Sequence, residues 1–245
     1  MKSFLDQKVL RYNTAEFILT DPVQFPRRYT RKQDIEIVSF LVSHISWGKR
    51  TMILRDAERM LAKFGQSPYE YVMNDGYKNL GSDNIHRTFF EHDLKYFLGG
   101  FKNILSKHDT VEDFLKAENA KSAWDVASLL LSEMLSANNG LTNKYCLPTS
   151  PENSAIKRIN MALRWLVRDD GIVDIGIWKI FTPAELFIPL DVHVANVSRD
   201  LGLLTRKSND RKAVEELTCK LRQFCPHDPV KYDFALFGTG IGNDK

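Results

Sequence analysis

Cysteine is scarce in this chain: three occur in 245 residues, at positions 146, 219 and 225. No two are spaced Cys-x-x-Cys and one is left over, so the expectation is reduced thiols rather than a disulfide framework. Three thiolates cannot complete the four-cysteine set of an iron–sulfur cluster. Long apolar runs are missing too. Nothing approaches the ~18 residues that a membrane-spanning helix needs. The opening residues MKSFLDQKVL carry Asp6 and no apolar core of a secretory signal, so a cytoplasmic protein is expected. Glycine and proline are few, 13 and 9, while apolar residues make up 43%, which argues for a globular, helix-rich chain. Charge of one sign is not in great excess: 34 Lys and Arg stand against 31 Asp and Glu. A net +3 is compatible with nucleic acid but does not point to it. There is no internal repeat, no low-complexity tract and no clear linker, and strand signals are weak throughout.

What is present is helical periodicity. Residues 1–20 read as a helix, and DPVQFPRRYTRK as a loop punctuated by Pro22 and Pro26. In that loop Arg27 and Arg28 interleave with Phe25 and Tyr29, a pattern that fits phosphate binding or a solvated surface. DIEIVSFLVSHISW reads as a buried helix, with Trp47 at its end, and TMILRDAERMLAKFG as a second helix stopping at Gly65. A short helix follows Pro68, then a turn and a helix through Phe90, Leu94, Phe97 and Leu98. His86 and His92 do not have zinc-ligand spacing and read as structural. VEDFLKAENA, SAWDVASLLLSEMLSANNG and the segments 212–224 and 229–237 complete about ten short helices, a mostly α fold. GTGIG at Gly238–Gly242 has the look of a phosphate loop, but it neither follows a strand nor opens a helix and reads as a C-terminal tail.

The stretch Ser154–Leu204 stands apart. Turn-rich LTNKYCLPTSPEN leads to Ser154, a candidate N-cap that leaves Lys157 in the first turn of an amphipathic helix. Asp191 stands directly before VHVANVSRDLG, a second helix ending at Gly202. A lysine and a carboxylate at two helix starts can face one cleft. Taken alone, such a lysine is most often a surface charge and such an aspartate an N-cap worth ~1 kcal/mol.

Ile188-Pro189-Leu190-Asp191-Val192-His193-Val194 resembles the (I/V)-x-(V/L)-D-(T/V)-H-(V/I) segment of the helix-hairpin-helix DNA glycosylase superfamily, and Arg199, Leu201 and Gly202 fit its continuation. KRINMALRWLVR, PLDVHV and KYDFALFG are together most similar to a bacterial domain family of unknown function. That family is distantly similar to archaeal 8-oxoguanine (AGOG-type) glycosylases. The usual L-P-G-(V/I)-G-x-K hairpin is not intact, since Thr149–Asn153 intrude between Leu147-Pro148 and Ser154-Ala155-Ile156-Lys157.

The resemblance implies one glycosylase-like unit over residues 1–245: a mostly α, two-lobed helical fold with a central DNA cleft. Its hairpin and catalytic segment would span about 141–204, and the N- and C-terminal segments would share a lobe. It implies a bifunctional DNA glycosylase and AP lyase of base-excision repair, with 8-oxoguanine the expected base. Lys157 and Asp191 would be catalytic. Ser154, Arg158, His193 and Asn196 would touch DNA, as would Arg27 and Arg28 from the basic loop. Trp47, Trp178 and Phe181 are candidates for a base pocket, with core packing the alternative for each, and Arg164 and Trp165 read as structural. No cofactor is implied, and no metal beyond a structural monovalent cation at the hairpin. The partner would be double-stranded DNA holding a damaged base, the protein a monomer.

Overall fold

The computed structural model describes residues 1–241, and it is mostly helical. Among these residues twelve α-helices follow in order. They begin with α1 (Lys2–Tyr12), α2 (Ala15–Thr20), α3 (Lys32–Ile45), α4 (Arg50–Leu61), α5 (Pro68–Met73) and α6 (Glu91–Leu105). Next come α7 (Val111–Ala117), α8 (Ala123–Ala137), α9 (Lys157–Val167), α10 (Val192–Asp200), α11 (Arg211–Phe224) and α12 (Tyr232–Ile241). Two short strands, β1 (Asn84–His86) and β2 (Phe89–Phe90), pair antiparallel just before α6. The sequence reading missed this hairpin, because three residues and two are too few to display an alternation. None of these helices is long and apolar enough to cross a membrane.

Many helix starts are written locally. Ser67, Thr110, Ser122, Asp191 and Asp210 each accept, through the side chain, a backbone N–H of the first turn of α5, α7, α8, α10 and α11. Such caps satisfy donors that the helix itself leaves unpaired, at ~1 kcal/mol each. The expected single helix over residues 1–20 is two helices, broken at Asn13 and Thr14.

The chain forms two compact units: Met1–Leu19 with the described residues from Ser150 onward, and Thr20–Thr149. In the second unit α3 is the centre. Every residue from Asp34 to Ile45 is buried, as expected for a helix surrounded by others. Its two buried acids serve neighbouring helix starts. Glu36 accepts from the N–H of Val111 (2.9 Å) and Glu112 (3.2 Å) at the head of α7. Asp34 accepts from Ser67 Oγ (2.9 Å) and the N–H of Tyr69 (2.7 Å) at the head of α5. His86 is fully buried, its Nδ1 2.7 Å from Asp56 and its Nε2 2.8 Å from the Trp47 carbonyl. His92 lies exposed and stacks on Phe90. Among the described residues no group of three or more His, Cys, Asp or Glu is arranged to hold a metal ion.

In the first unit α12 packs against both α1 and α10. The segment expected to be a tail is therefore the end of a packed helix: Gly238, Thr239 and Gly240 all lie in α12, while Gly242 falls outside the described residues. The glycines permit close approach. A Cβ at Gly238 would stand 2.3 Å from the Tyr12 ring on α1, and one at Gly240 would stand 3.0 Å from His193 Cβ on α10. Gly238→Ala is accordingly expected to destabilise the protein by about 1–3 kcal/mol, read by urea unfolding. On an unobstructed helix the same change would instead stabilise by about 1 kcal/mol, so a gain in stability would refute the close contact.

Candidate active site

The site is built at the heads of α9 and α10, both in the first unit. Lys157 is the first residue of α9. The residue before it, Ile156, has φ +38° and ψ +40°, a left-handed conformation that a β-branched residue rarely adopts. Its side chain is 4% exposed, and that burial holds the strained backbone in place. Ser154 is not the N-cap that its position suggested. Its Oγ accepts instead from the N–H of Ile156 (3.3 Å), inside the loop, and α9 begins without a side-chain cap. The loop is tied down twice more: Ser154 bridges antiparallel to Asp210, and Asn160 Nδ2 donates to the Ala155 carbonyl (3.1 Å).

Asp191 does cap α10, its Oδ1 accepting from the N–H of Val194 at 2.8 Å. Its other oxygen, Oδ2, lies 3.7 Å from Lys157 Nζ. The two side chains are 26% and 17% exposed, so both are reachable from solvent while partly desolvated. A strained residue directly before a lysine, and a cap whose second oxygen faces that lysine, make a built arrangement rather than a chance surface pair.

The other expected site residues distribute unevenly. Arg158 follows Lys157 and is half-buried. His193 and Asn196 are exposed along α10. With Val197 and Asp200 of α10, its C-cap Leu201, and Thr239 and Gly240 of α12 they line a hollow of about 350 Å³. Lys157 and Asp191 do not line it. Trp178 is wholly buried and Phe181 is 7% exposed. Both rings pack in the core of the first unit and have no open face to offer a base. Arg27, Arg28 and Trp47 belong to the second unit. Arg27 is exposed, and Arg28, also exposed, pairs with Glu58 at 2.9 Å and lies over the Phe25 ring. Trp47 is half-buried, with the Arg87 guanidinium 4.4 Å from its ring centroid.

A hairpin cation would need several carbonyls turned outward together. Here the carbonyls of Ser150, Pro151, Ala155 and Ile156 accept hydrogen bonds from within the chain. No role is assigned to such an ion.

Residues 21–242 match a family described as protein of unknown function (DUF2400). The chain belongs to the DUF2400 family. No curated protein and no solved structure matches it. The DUF2400 match takes in α3 to α12 whole, and with them Lys157 and Asp191. It leaves α1 and α2 outside.

Beneath the pair, this DUF2400 chain holds an ionic cluster that the sequence reading missed. Arg164, two turns along α9 from Lys157, binds Asp233 of α12 through Nη1, and its Nε meets Asp174 at 3.2 Å. Arg168, one turn further, donates to Asp170 (2.5 Å), Asp174 (2.9 Å) and Asp228 (2.8 Å). Both guanidiniums lie near the Phe234 ring. The expectation that Arg164 and Trp165 are structural matches their burial, 4% and 0% exposed. The signal that would have disclosed the cluster is Asp233 itself, a lone acid inside apolar YDFALF.

Burial pushes the Asp233 carboxyl up to about 7, with Arg164 and Lys157 opposing the rise and Asp191 and Asp174 adding to it. Burial likewise raises Asp174. The folded protein thus keeps a proton on Asp233 that the unfolded chain releases near the ordinary carboxylate value of 3.8. The stability tied to that proton is fully present below about pH 4 and is lost as pH rises through about 7, on the order of 2–4 kcal/mol in all. Asp233→Asn should remove this dependence. Urea unfolding of both proteins between pH 4 and 8 checks it, and parallel curves would contradict the assignment.

Proposed function

We propose that this protein is a DNA glycosylase with AP-lyase activity, acting through Lys157 and Asp191. One observation carries the reading: a lysine amine and a carboxylate, each at the head of its own helix, approach to 3.7 Å with both groups partly exposed. This is the pair that the likeness to the helix-hairpin-helix glycosylases singles out, Asp191 within PLDVHV and Lys157 at the end of the altered hairpin. The strained Ile156 next to Lys157 adds support, since strain of that kind concentrates at functional sites.

Excising a base breaks the bond between C1′ and the base nitrogen and develops positive charge on the sugar. Asp191, anionic and fixed by its bond to the Val194 N–H, can stabilise that charge as it forms. The Lys157 amine, once neutral, can attack C1′, displace the base and pass on to a Schiff base, which divides one difficult step into two. Arginine would not serve at this position, because a guanidinium keeps its proton. The nucleotide must leave the stack to reach these groups, at a few kcal/mol. The assignment of an oxidised purine such as 8-oxoguanine as the base rests on resemblance alone.

A second reading draws on the same distance. An amine held within ion-pair range of a carboxylate is poorly nucleophilic while charged, which favours a monofunctional glycosylase in which Asp191 directs water. Borohydride trapping on duplexes carrying single modified bases, with an abasic duplex alongside, separates the two. A covalent adduct supports the lyase, and base release without an adduct supports the water mechanism. Neither product with any duplex leaves a non-catalytic DNA-binding fold, recognisable by salt-dependent duplex affinity.

A further inference from the structure

Arg87 stands where a hairpin turn rarely holds an arginine. β1 and β2 are joined by Arg87 and Thr88 alone, with His86 paired to Phe89. In such short connections the first position takes a positive φ and favours glycine, asparagine or aspartate. Arg87 adopts φ +52° there, its carbonyl accepting from Asn84 Nδ2 at 2.7 Å. Backbone strain of this kind points to a task for the side chain.

That side chain reaches Trp47, just past the end of α3. The guanidinium lies over the indole, 4.4 Å from the ring centroid. Gly48, itself at φ +100°, leaves room for it, since a Cβ there would stand 2.6 Å from Arg87 Nη1. The platform is fixed from beneath. Trp47 meets the buried His86 ring edge-on at 5.4 Å, and its carbonyl lies 2.8 Å from His86 Nε2. Arg59 of α4 donates to the carbonyls of Asn84 (3.1 Å) and Ile85 (2.5 Å) in β1.

Two other exposed arginines of the second unit lie over rings, Arg28 on Phe25 and Arg31 on Tyr69. Each of them also has a carboxylate, Glu58 at 2.9 Å and Glu70 at 2.6 Å. Arg87 differs. It is exposed, and among the described residues no carboxylate or carbonyl engages its guanidinium. Lys49, exposed beside Gly48, likewise has no acid partner among the described residues. The hairpin's own acid, Asp83, stands at the opposite end, its carbonyl accepting from the N–H of Glu91. The tip thus presents an oriented fork of N–H donors with no anion of its own, and the match for such a fork is an oxyanion. Two adjacent cations suit a run of phosphates better than one small anion.

We propose that Arg87, laid on Trp47 and flanked by Lys49, is a phosphodiester contact through which the second unit holds duplex DNA. The choice of DNA as the polyanion rests on the glycosylase reading, whereas the oxyanion site itself does not.

The test uses the whole protein and an undamaged duplex, with affinity measured by fluorescence anisotropy over a range of salt concentration. Arg87→Asn gives the turn a residue that it prefers and removes the guanidinium. Duplex affinity should fall about tenfold, while the urea midpoint holds or rises. The slope of log affinity against log salt should shrink by about 1. Arg87→Lys keeps the charge without the fork, so the slope should hold while affinity stays below wild type. Wild-type affinity in Arg87→Asn or in Arg87→Lys overturns the proposal. A polyglutamate peptide that binds as tightly as the duplex, and loses as much in Arg87→Asn, overturns the assignment to DNA. The glycosylase reading fails separately. Duplex affinity that depends on Arg87, without base release from any modified duplex, leaves the contact standing and removes the chemistry. Base release with unchanged affinity in Arg87→Asn does the reverse.

Discussion

Lys157→Gln should form no borohydride-stable adduct with any duplex that the wild type traps. Glutamine nearly matches lysine in length and packing but has no amine, and without an amine there is no Schiff base to reduce. The loss is expected to be complete rather than graded. Base release is the second readout. If it disappears with the adduct, the amine is the nucleophile of the first step. If it persists, water performs that step and Lys157 serves only the lyase. Asp191→Asn is the natural companion. Asparagine is as good an N-cap as aspartate, so the bond to the Val194 N–H and the start of α10 survive. Only the charge is removed. A fall in base release of about 10²–10³-fold is expected from loss of one preorganised electrostatic group in the transition state. An Asp191→Asn protein that releases bases at the wild-type rate would confine Asp191 to capping, and an undiminished adduct in Lys157→Gln would locate the nucleophile elsewhere.

Arg168→Met should destabilise the protein by about 3–5 kcal/mol. Arg168 is 5% exposed and binds three carboxylates, those of Asp170, Asp174 and Asp228. Its guanidinium is held well above the ordinary value by those three charges, so it stays a cation throughout the working range. Methionine replaces much of the volume but leaves the three acids facing one another with their shared cation gone. Removing one partner of a buried ionic network is costly because the remaining charges keep their desolvation penalty and lose what offset it. The midpoint of urea unfolding at neutral pH measures the effect. The deficit should shrink on acidification, as the orphaned carboxyls take up protons. A loss under about 1 kcal/mol would show that solvent reaches the cluster and screens it.

These two outcomes probe different depths of one region. Lys157 and Asp191 meet where solvent can enter, while Arg164, Arg168, Asp174 and Asp233 are withdrawn from it. α9 joins the layers, carrying Lys157 at its first residue, Arg164 two turns on and Arg168 as its C-cap. A helix anchored at one end by buried ion pairs is a rigid mount for an amine at the other. Rigid mounting matters because small misplacement of a reacting group lowers rate steeply.

What the sequence alone determined is what depends on neighbours within a few residues. The apolar periodicity of α3, α4 and α6 marked these helices, Gly65 marked a stop, and Asp191 stood where α10 needed a cap. Lys157 and Asp191 came from a resemblance to a motif, and the tertiary structure then brought them within 3.7 Å. Only tertiary structure decided the rest. Ile156 in a left-handed conformation contradicts its own propensity, and neighbouring burial rather than local preference maintains it. Trp178 went to the core because packing around the segment after α9, invisible in its composition, closed over it. Gly238 and Gly240 became helix contacts, not a tail, because α1 and α10 press against them. Arg164 found Asp233 across 69 positions of sequence. Propensity and capping act along the chain, whereas burial and ion pairing act through space, and the buried half of this site is made wholly of the second kind.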